Sequence, residues 1–176
     1  MLVVLSDTHG TADPRLRGRT AEAVDAADRV VHAGDFTTPA VLDAIEDRAT
    51  LRAVHGNADA AAVRERLPDV RTLEYGGVRI VVTHTHRGGE TALSTLGRAR
   101  EAALVVVGHT HRPAVVDGPP TLLNPGSHAA PRGGPATHAE LRATDAGLDG
   151  TIRSVEGTVI ERFVVRKSSE GREGES

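Results

Sequence analysis

Leu2-Val3-Val4-Leu5-Ser6-Asp7-Thr8-His9 decides the fold of this chain. Four apolar residues in a row, with no polar alternation, read as a strand covered on both faces, as in a parallel sheet flanked by helices. A carboxylate and an imidazole follow directly, at the carboxyl end where an open α/β sheet presents its ligand crevice. The pattern recurs: RVVHAG at 29–34, LRAVHG at 51–56 and LVVVGHT at 104–110 are strand-like runs that lead into glycine and polar residues. Helix-compatible stretches separate them. These are 14–27, entered through Asp13-Pro14; 39–48, entered through Thr38-Pro39, with Val41, Leu42, Ile45 and Ala49 at helical spacing; 61–68; and 90–103.

VRTLEYGGVRIVVTH at 70–84 changes character. Gly76-Gly77 between two strand-like runs is a two-residue hairpin signal, so antiparallel pairing enters here. Beyond residue 112 the chain reads as short strands and turns, and TIRSVEGTVIERFVV alternates as a strand with one wet face would. The expectation is an α/β fold: two mixed sheets packed face to face, helices outside, the second sheet more antiparallel. The length of 176 residues suits one domain, spanning 1–167. The tail at 168–176, SSEGREGES, has no apolar residue and is expected to be disordered.

Composition excludes several functions. Phe36, Tyr75 and Phe163 are the only aromatics, too few for a base-stacking nucleic-acid platform, and a net charge of −3 leaves no electropositive footprint. Without cysteine there is no disulfide, thiolate metal site or thiol nucleophile. The longest apolar run after the first strand, AALVVV at 102–107, is far below the roughly 20 residues that cross a bilayer. No signal-peptide pattern precedes the first strand, so a cytoplasmic protein without membrane attachment is expected.

The nine histidines are not scattered. Asp7-Thr8-His9, Gly34-Asp35, Gly56-Asn57, His84-Thr85-His86 and His109-Thr110-His111 each stand at a strand end. In extended backbone, residues two apart point the same way, so Asp7 with His9, and His109 with His111, would face one site. Imidazole, carboxylate and amide suit manganese, iron, zinc, nickel or cobalt. Glycines at 34, 56 and 108 would allow close backbone approach beside the ligands. Each fragment alone is commonplace. All five together point to a metal centre.

D-x-H, G-D, G-N-x-D, T-H-x-H and G-H-T-H in this order, with NPGS at 124–127, resemble the calcineurin-like metallophosphoesterase superfamily, in particular its small bacterial and archaeal phosphodiesterases. The resemblance implies a four-layer αββα sandwich and two divalent metal ions, manganese foremost, with nickel, iron, cobalt or zinc as alternatives. It places Asp7, His9, Asp35 and His111 on one ion, and Asp35, Asn57, His84 and His109 on the other, with Asp35 bridging. Hydroxide held between the ions would then attack a small phosphodiester. Asn57 would also face substrate: its neutrality keeps the centre net positive toward a singly charged diester.

Two positions depart from the family pattern. Larger relatives carry a histidine where this chain has Ala58, so a proton for the leaving group must come from water, His55 or His86, of which His86 is preferred. Thr85 replaces a usual glycine; a positive φ there would strain it and favour His86 over His84 as ligand, although His84 is preferred. Asp59 reads as a cap for the following helix, and Arg87, Arg112 and Arg132 as solvated surface residues. Asn124 and Ser127 read as parts of a supporting turn. Two rival functions stand beside the phosphodiesterase: a phosphomonoesterase or nucleotidase on the same site, and a non-catalytic interaction scaffold of the same fold. Oligomeric state is open.

Overall fold

The computed structural model describes residues 1–167, so the tail at 168–176 lies outside the described residues. One sheet contains β1 (Leu2–Leu5), β2 (Arg29–His32), β3 (Leu51–Ala53), β9 (Thr137–Thr144), β10 (Gly147–Ser154) and β11 (Val159–Arg166), in the order β11-β10-β9-β1-β2-β3. The other contains β4 (Val70–Tyr75), β5 (Val78–Thr83), β6 (Leu104–Val106), β7 (Pro113–Val116) and β8 (Thr121–Pro125), in the order β4-β5-β6-β8-β7. Among the described residues, four helices, α1 (Gly18–Asp25), α2 (Pro39–Glu46), α3 (Ala61–Arg64) and α4 (Gly89–Ala99), complete the expected α/β fold.

The unbroken apolar runs explain the layering. Along β1, Leu2 and Val4 enter the core between the sheets, where they join Val31, Ile80, Val82, Leu104 and Val106. Val3 and Leu5 point the other way and pack with Ala23 and Val24 of α1 and Val41, Leu42 and Ile45 of α2. On the far side, Val81, Val105 and Leu122 pack beneath Leu93 of α4. Both sheets therefore bury both faces over their central strands.

The antiparallel strands are distributed differently from expectation. β9, β10 and β11 form a meander that joins the first sheet through β1, with Leu2 opposite Leu141 and Val4 opposite Ala139. The first sheet thus carries three antiparallel pairings, and the second two, β4-β5 and β7-β8. Burial drives this: without β9, the edge of β1, whose four residues are all buried, would lack partners. The Gly76-Gly77 hairpin forms as expected, with Tyr75 opposite Val78 and positive φ at both glycines.

The first helix is shorter than the sequence pattern predicts. Residues 14–17 form a loop, because the Asp13 side chain accepts a hydrogen bond from Arg15 N at 2.7 Å and Arg15 itself adopts φ 52°. α2 begins as predicted, with Pro39 in its first turn and Thr38 Oγ1 accepting from Val41 N. Among the described residues, no helix is long and apolar enough to cross a membrane.

Candidate metal centre

The carboxyl ends of β1, β2, β3, β5 and β6 open onto one crest. Beyond the last paired residues, the loops stay zipped together: Asp7 N donates to Gly34 O, His9 N to Asp35 O, and Gly108 N to His84 O, each at 3.0 Å. This brings Asp7, His9, Asp35, Asn57, His84, His109 and His111 together.

Their convergence does not come from the pleat of extended strands. Asp7, His9, Asp35, His109 and His111 make up five of the eight non-glycine residues with positive φ among the described residues, at 56°, 46°, 64°, 71° and 62°. Left-handed backbone costs of order 1–3 kcal/mol per residue and persists where surrounding structure enforces it. Here the ligand loops after β1, β2 and β6 turn sharply inward just after their strands. Thr85 is not among the positive-φ residues, so the strain that would have disfavoured His84 is absent. Glycine is required beside the carboxylates: a Cβ at Gly56 would collide with Asp35 Oδ1, and one at Gly108 with Ser6 Oγ.

The Asp35 carboxylate divides its oxygens between two tasks. Asp35 Oδ1 accepts from Ala58 N at 2.8 Å, while Oδ2 lies 3.4 Å from His9 Nε2 and 3.2 Å from His84 Nε2. Asp7 Oδ2 accepts from Ser6 Oγ at 2.6 Å, His109 N is shared between Oδ2 at 3.0 Å and Oδ1 at 3.2 Å, and Oδ1 also lies 3.3 Å from His111 Nε2 and 3.8 Å from His9 Nε2. Asn57 Oδ1 sits 3.0 Å from His84 Nε2 and 2.9 Å from His109 Nδ1. His9 and His111 approach Nε2 to Nε2 at 3.1 Å, with their rings stacked.

The hydrogen-bond chemistry of this cluster calls for a cation. His84 Nδ1 donates to Ala33 O at 2.8 Å and His111 Nδ1 to Ala130 O at 2.6 Å. In the neutral rings Nε2 is then a lone pair, and at His84 that lone pair faces the oxygens of Asp35 and Asn57. Either a proton or a metal ion must sit among these acceptors, and backbone-anchored imidazoles of this tautomer are the usual metal ligands. Burial disfavours the charged His84 ring, but the Asp35 and Asp7 carboxylates and the Ala33 carbonyl together outweigh this and raise its pKa. Burial likewise pushes Asp35 up, while His84 and the Ala58 N–H hold it below its ordinary value. Two tight groupings stand out, Asp7-His9-His111 and Asp7-Asp35-His84. The residues fit the expected metals.

A supporting layer fixes the loops. Asn124 Nδ2 donates to Gly108 O and Thr110 Oγ1, and Ser127 Oγ donates to Asp7 O while accepting from Ala130 N. The NPGS turn thus braces the loops on both sides of the cluster. Asp59 does not cap α3, whose N-cap is Ala60. Its buried carboxylate accepts from Asp35 N, Gly56 N and Thr37 N, stapling two ligand loops together. Arg64 reaches back to Asn57 O at 2.6 Å and Asp59 O at 2.9 Å, and Arg15 holds Thr8 O and His9 O. These three residues carry no sequence signal for such roles.

The remaining candidates lie around the rim. His86 is exposed, with Nδ1 against Arg87 O at 2.7 Å. His55 is half-buried, and its Nδ1 has no hydrogen-bond partner. Arg87, Arg112 and Arg132 are exposed, in keeping with solvated surface arginines.

A double sandwich with imidazole, carboxylate and amide ligands gathered at the carboxyl ends of both sheets defines a metal-dependent phosphoesterase class. Residues 1–146 match the calcineurin-like phosphoesterase superfamily domain, and the chain belongs to that superfamily, whose members are phosphoester hydrolases that bind divalent metals. A probable metallophosphoesterase from Methanothermobacter thermautotrophicus is 34% identical over 160 residues, covering 86% of this chain and 91% of the relative. A predicted phosphoesterase from Streptococcus pneumoniae superposes with a TM-score of 0.73 at 26% identity, covering 93% of this chain and 96% of its own. Vacuolar protein sorting 29 from Cryptosporidium parvum shares the fold at a TM-score of 0.79 and 16% identity, with 93% and 97% coverage.

Proposed function

We propose that this protein is a two-metal phosphodiesterase, with Asp7, His9, Asp35 and His111 holding one ion and Asp35, Asn57, His84 and His109 the other. The observation that carries the reading is Asp35 Oδ2, which lies within 3.4 Å of imidazole nitrogens on both sides of the cluster. When bound, two divalent ions lower the pKa of a shared water toward neutrality and clamp the phosphoryl oxygens. Manganese is the preferred ion, and the nitrogen and oxygen donors also accept nickel, iron, cobalt or zinc.

The chain's own residues set the rest. The Asp7 and Asp35 carboxylates are held rigid by N–H and O–H donors, so the geometry of the centre is organised before substrate arrives. Asn57 brings an oxygen ligand without a negative charge, which favours a singly charged diester beside it. Ala58 offers no proton, so esters of acidic alcohols such as phenols are cleaved fastest. His86, on the rim with Nδ1 held by a carbonyl, is assigned delivery of the remaining proton.

Hydrolysis of an aryl phosphodiester with added Mn²⁺ tests the reading. Asp35→Ala should lower kcat/KM by more than about a hundredfold, beyond the 10–100-fold typical of groups that merely orient ligands. An unchanged rate removes Asp35 from the bridging role. A higher rate on the matching aryl monoester moves the function to a phosphomonoesterase. The likeness to Vps29 motivates the scaffold alternative; a purified chain that retains less than about one ion after incubation with Mn²⁺ favours it, since structural and catalytic sites hold their metals stoichiometrically.

A further inference from the structure

Two depressions flank the ligand cluster and share Thr85 and His86 as the ridge between them. One has the polar side chains of His55, Arg64 and Asp69 in its wall. The other, of about 220 Å³, runs from His109 over the outer face of the second sheet between α4 and β7. Leu93, Val107, Ala114, Val116 and Leu122 line it, and Leu93 and Leu122 belong to the core beneath α4. Among the described residues, Glu90 is the one carboxylate in its lining, which contains neither lysine nor arginine. Its amide, Asn124, is already engaged with Gly108, Thr110 and Gly126.

In-line displacement places the attacking and leaving oxygens opposite each other. Attack from the floor of the cluster sends the leaving group outward, and the ester group that stays on phosphorus splays sideways along the rim. We propose that the pocket beside His109 receives this retained ester substituent and selects an uncharged apolar or aromatic group. At about 220 Å³ it is smaller than the roughly 300–1,000 Å³ of sites that enclose drug-sized ligands, so one ring or a short chain suits it. Glu90 repels a substituent carrying a second anion, which makes nucleotides with further phosphates poor occupants.

The proposal rests on the phosphodiesterase reading, and the test separates the two. The Mn²⁺-loaded full chain is given phenyl 4-nitrophenyl phosphate and methyl 4-nitrophenyl phosphate, which share a leaving group and differ only in the retained ester. The phenyl ester should have the higher kcat/KM by about tenfold or more, the scale of a filled apolar pocket. Val116→Trp, on the outward face of β7, should erase that advantage and leave the methyl ester within about twofold. Ala114→Leu, on the same face, is a second route to filling the pocket. Calorimetry with diphenyl and dimethyl phosphate should show the same preference and the same loss in Val116→Trp. Equal kcat/KM and equal binding for the two esters overturn the pocket while the phosphodiesterase stands. No hydrolysis of either ester overturns both.

Discussion

Two buried clusters in this molecule pair histidine with carboxylate. Beneath α1, Glu140 of β9 accepts both arms of the Arg19 fork, at 2.7 and 2.8 Å, and His138 Nε2 at 3.1 Å. His138 Nδ1 in turn meets Thr20 Oγ1 at 2.8 Å. Donors there face a shared acceptor, Glu140, although Arg153 Nε, 3.6 Å from Glu140 Oε1, stays beyond hydrogen-bond reach. On the crest, the same residue types converge with acceptors facing acceptors, on backbone turned left-handed to bring them together. Residue identity therefore does not mark the functional cluster. The balance of donors against acceptors does, because a buried set of lone pairs is stable only around a cation.

The contrast can be broken first at Glu140. Glu140→Ala strands Arg19 and His138 and should cost about 3–5 kcal/mol in denaturant unfolding. Mn²⁺ affinity should stay within about threefold, since the network lies apart from the ligands; a parallel fall in affinity would join the two clusters into one unit. Acid provides the next largest effect. Burial holds the His128 imidazole down at about 4 from 6.5. Burial alone would raise Glu140, but His138 and Arg19 hold it at about 2 against an ordinary 4.5. Both folded-state values are depressed, so the stabilisation is complete above about pH 6.5. It falls between 6.5 and 4 as unfolded His128 binds a proton that the folded state refuses, then between 4.5 and 2 as Glu140 protonates. Each step is worth up to about 3 kcal/mol. Unfolding of His128→Leu and wild type at pH 7 and pH 4.5 checks the upper step, which should shrink in the variant.

The sequence made the crest legible in composition and left its geometry hidden. Unbroken apolar runs reported doubly covered strands, and the polar residues just after them reported where a site would lie. The two-residue spacing of Asp7 with His9 suggested a shared face by strand pleating, but the residues meet through positive φ, which no local pattern announces for Asp or His. The helix expected over 14–27 lost its first turn because Arg15 bends back to hold the carbonyls of Thr8 and His9. The Glu140 network was invisible because Arg19 and Thr20 lie more than a hundred residues from His138 and Glu140 and meet them only when β9 docks against β1.

On the crest, adding a cation should stabilise what the hydrogen bonds leave unbalanced. Mn²⁺ at a hundredfold excess over its Kd should raise unfolding stability by about 2.7 kcal/mol. Asp35→Asn should remove that increment. Metal-free Asp35→Asn should match metal-free wild type within about 1 kcal/mol, because losing the charge that pairs with His84 also relieves the crowding of acceptors. A metal-free variant that collapses would place Asp35 with Glu140, as a structural anion rather than a ligand.

The smallest effect expected separates holding a ligand from being one. Arg64 touches no candidate metal position; it grips the carbonyls of Asn57 and Asp59 from α3. Asp59 staples the same loop independently through Gly56 N. Arg64→Ala should therefore loosen Asn57 without releasing it and weaken Mn²⁺ binding by roughly tenfold, the low end for a group that orients a ligand. The loss should fall on the ion that shares Asn57, His84 and His109, leaving the Asp7-His9-His111 side unchanged in a two-site titration. Arg64→Lys should not restore it, because a single ammonium cannot span two carbonyls as the guanidinium fork does. Equal weakening of both ions would mean that Arg64 supports the whole crest, and that the loops after β3 and β1 move as one body.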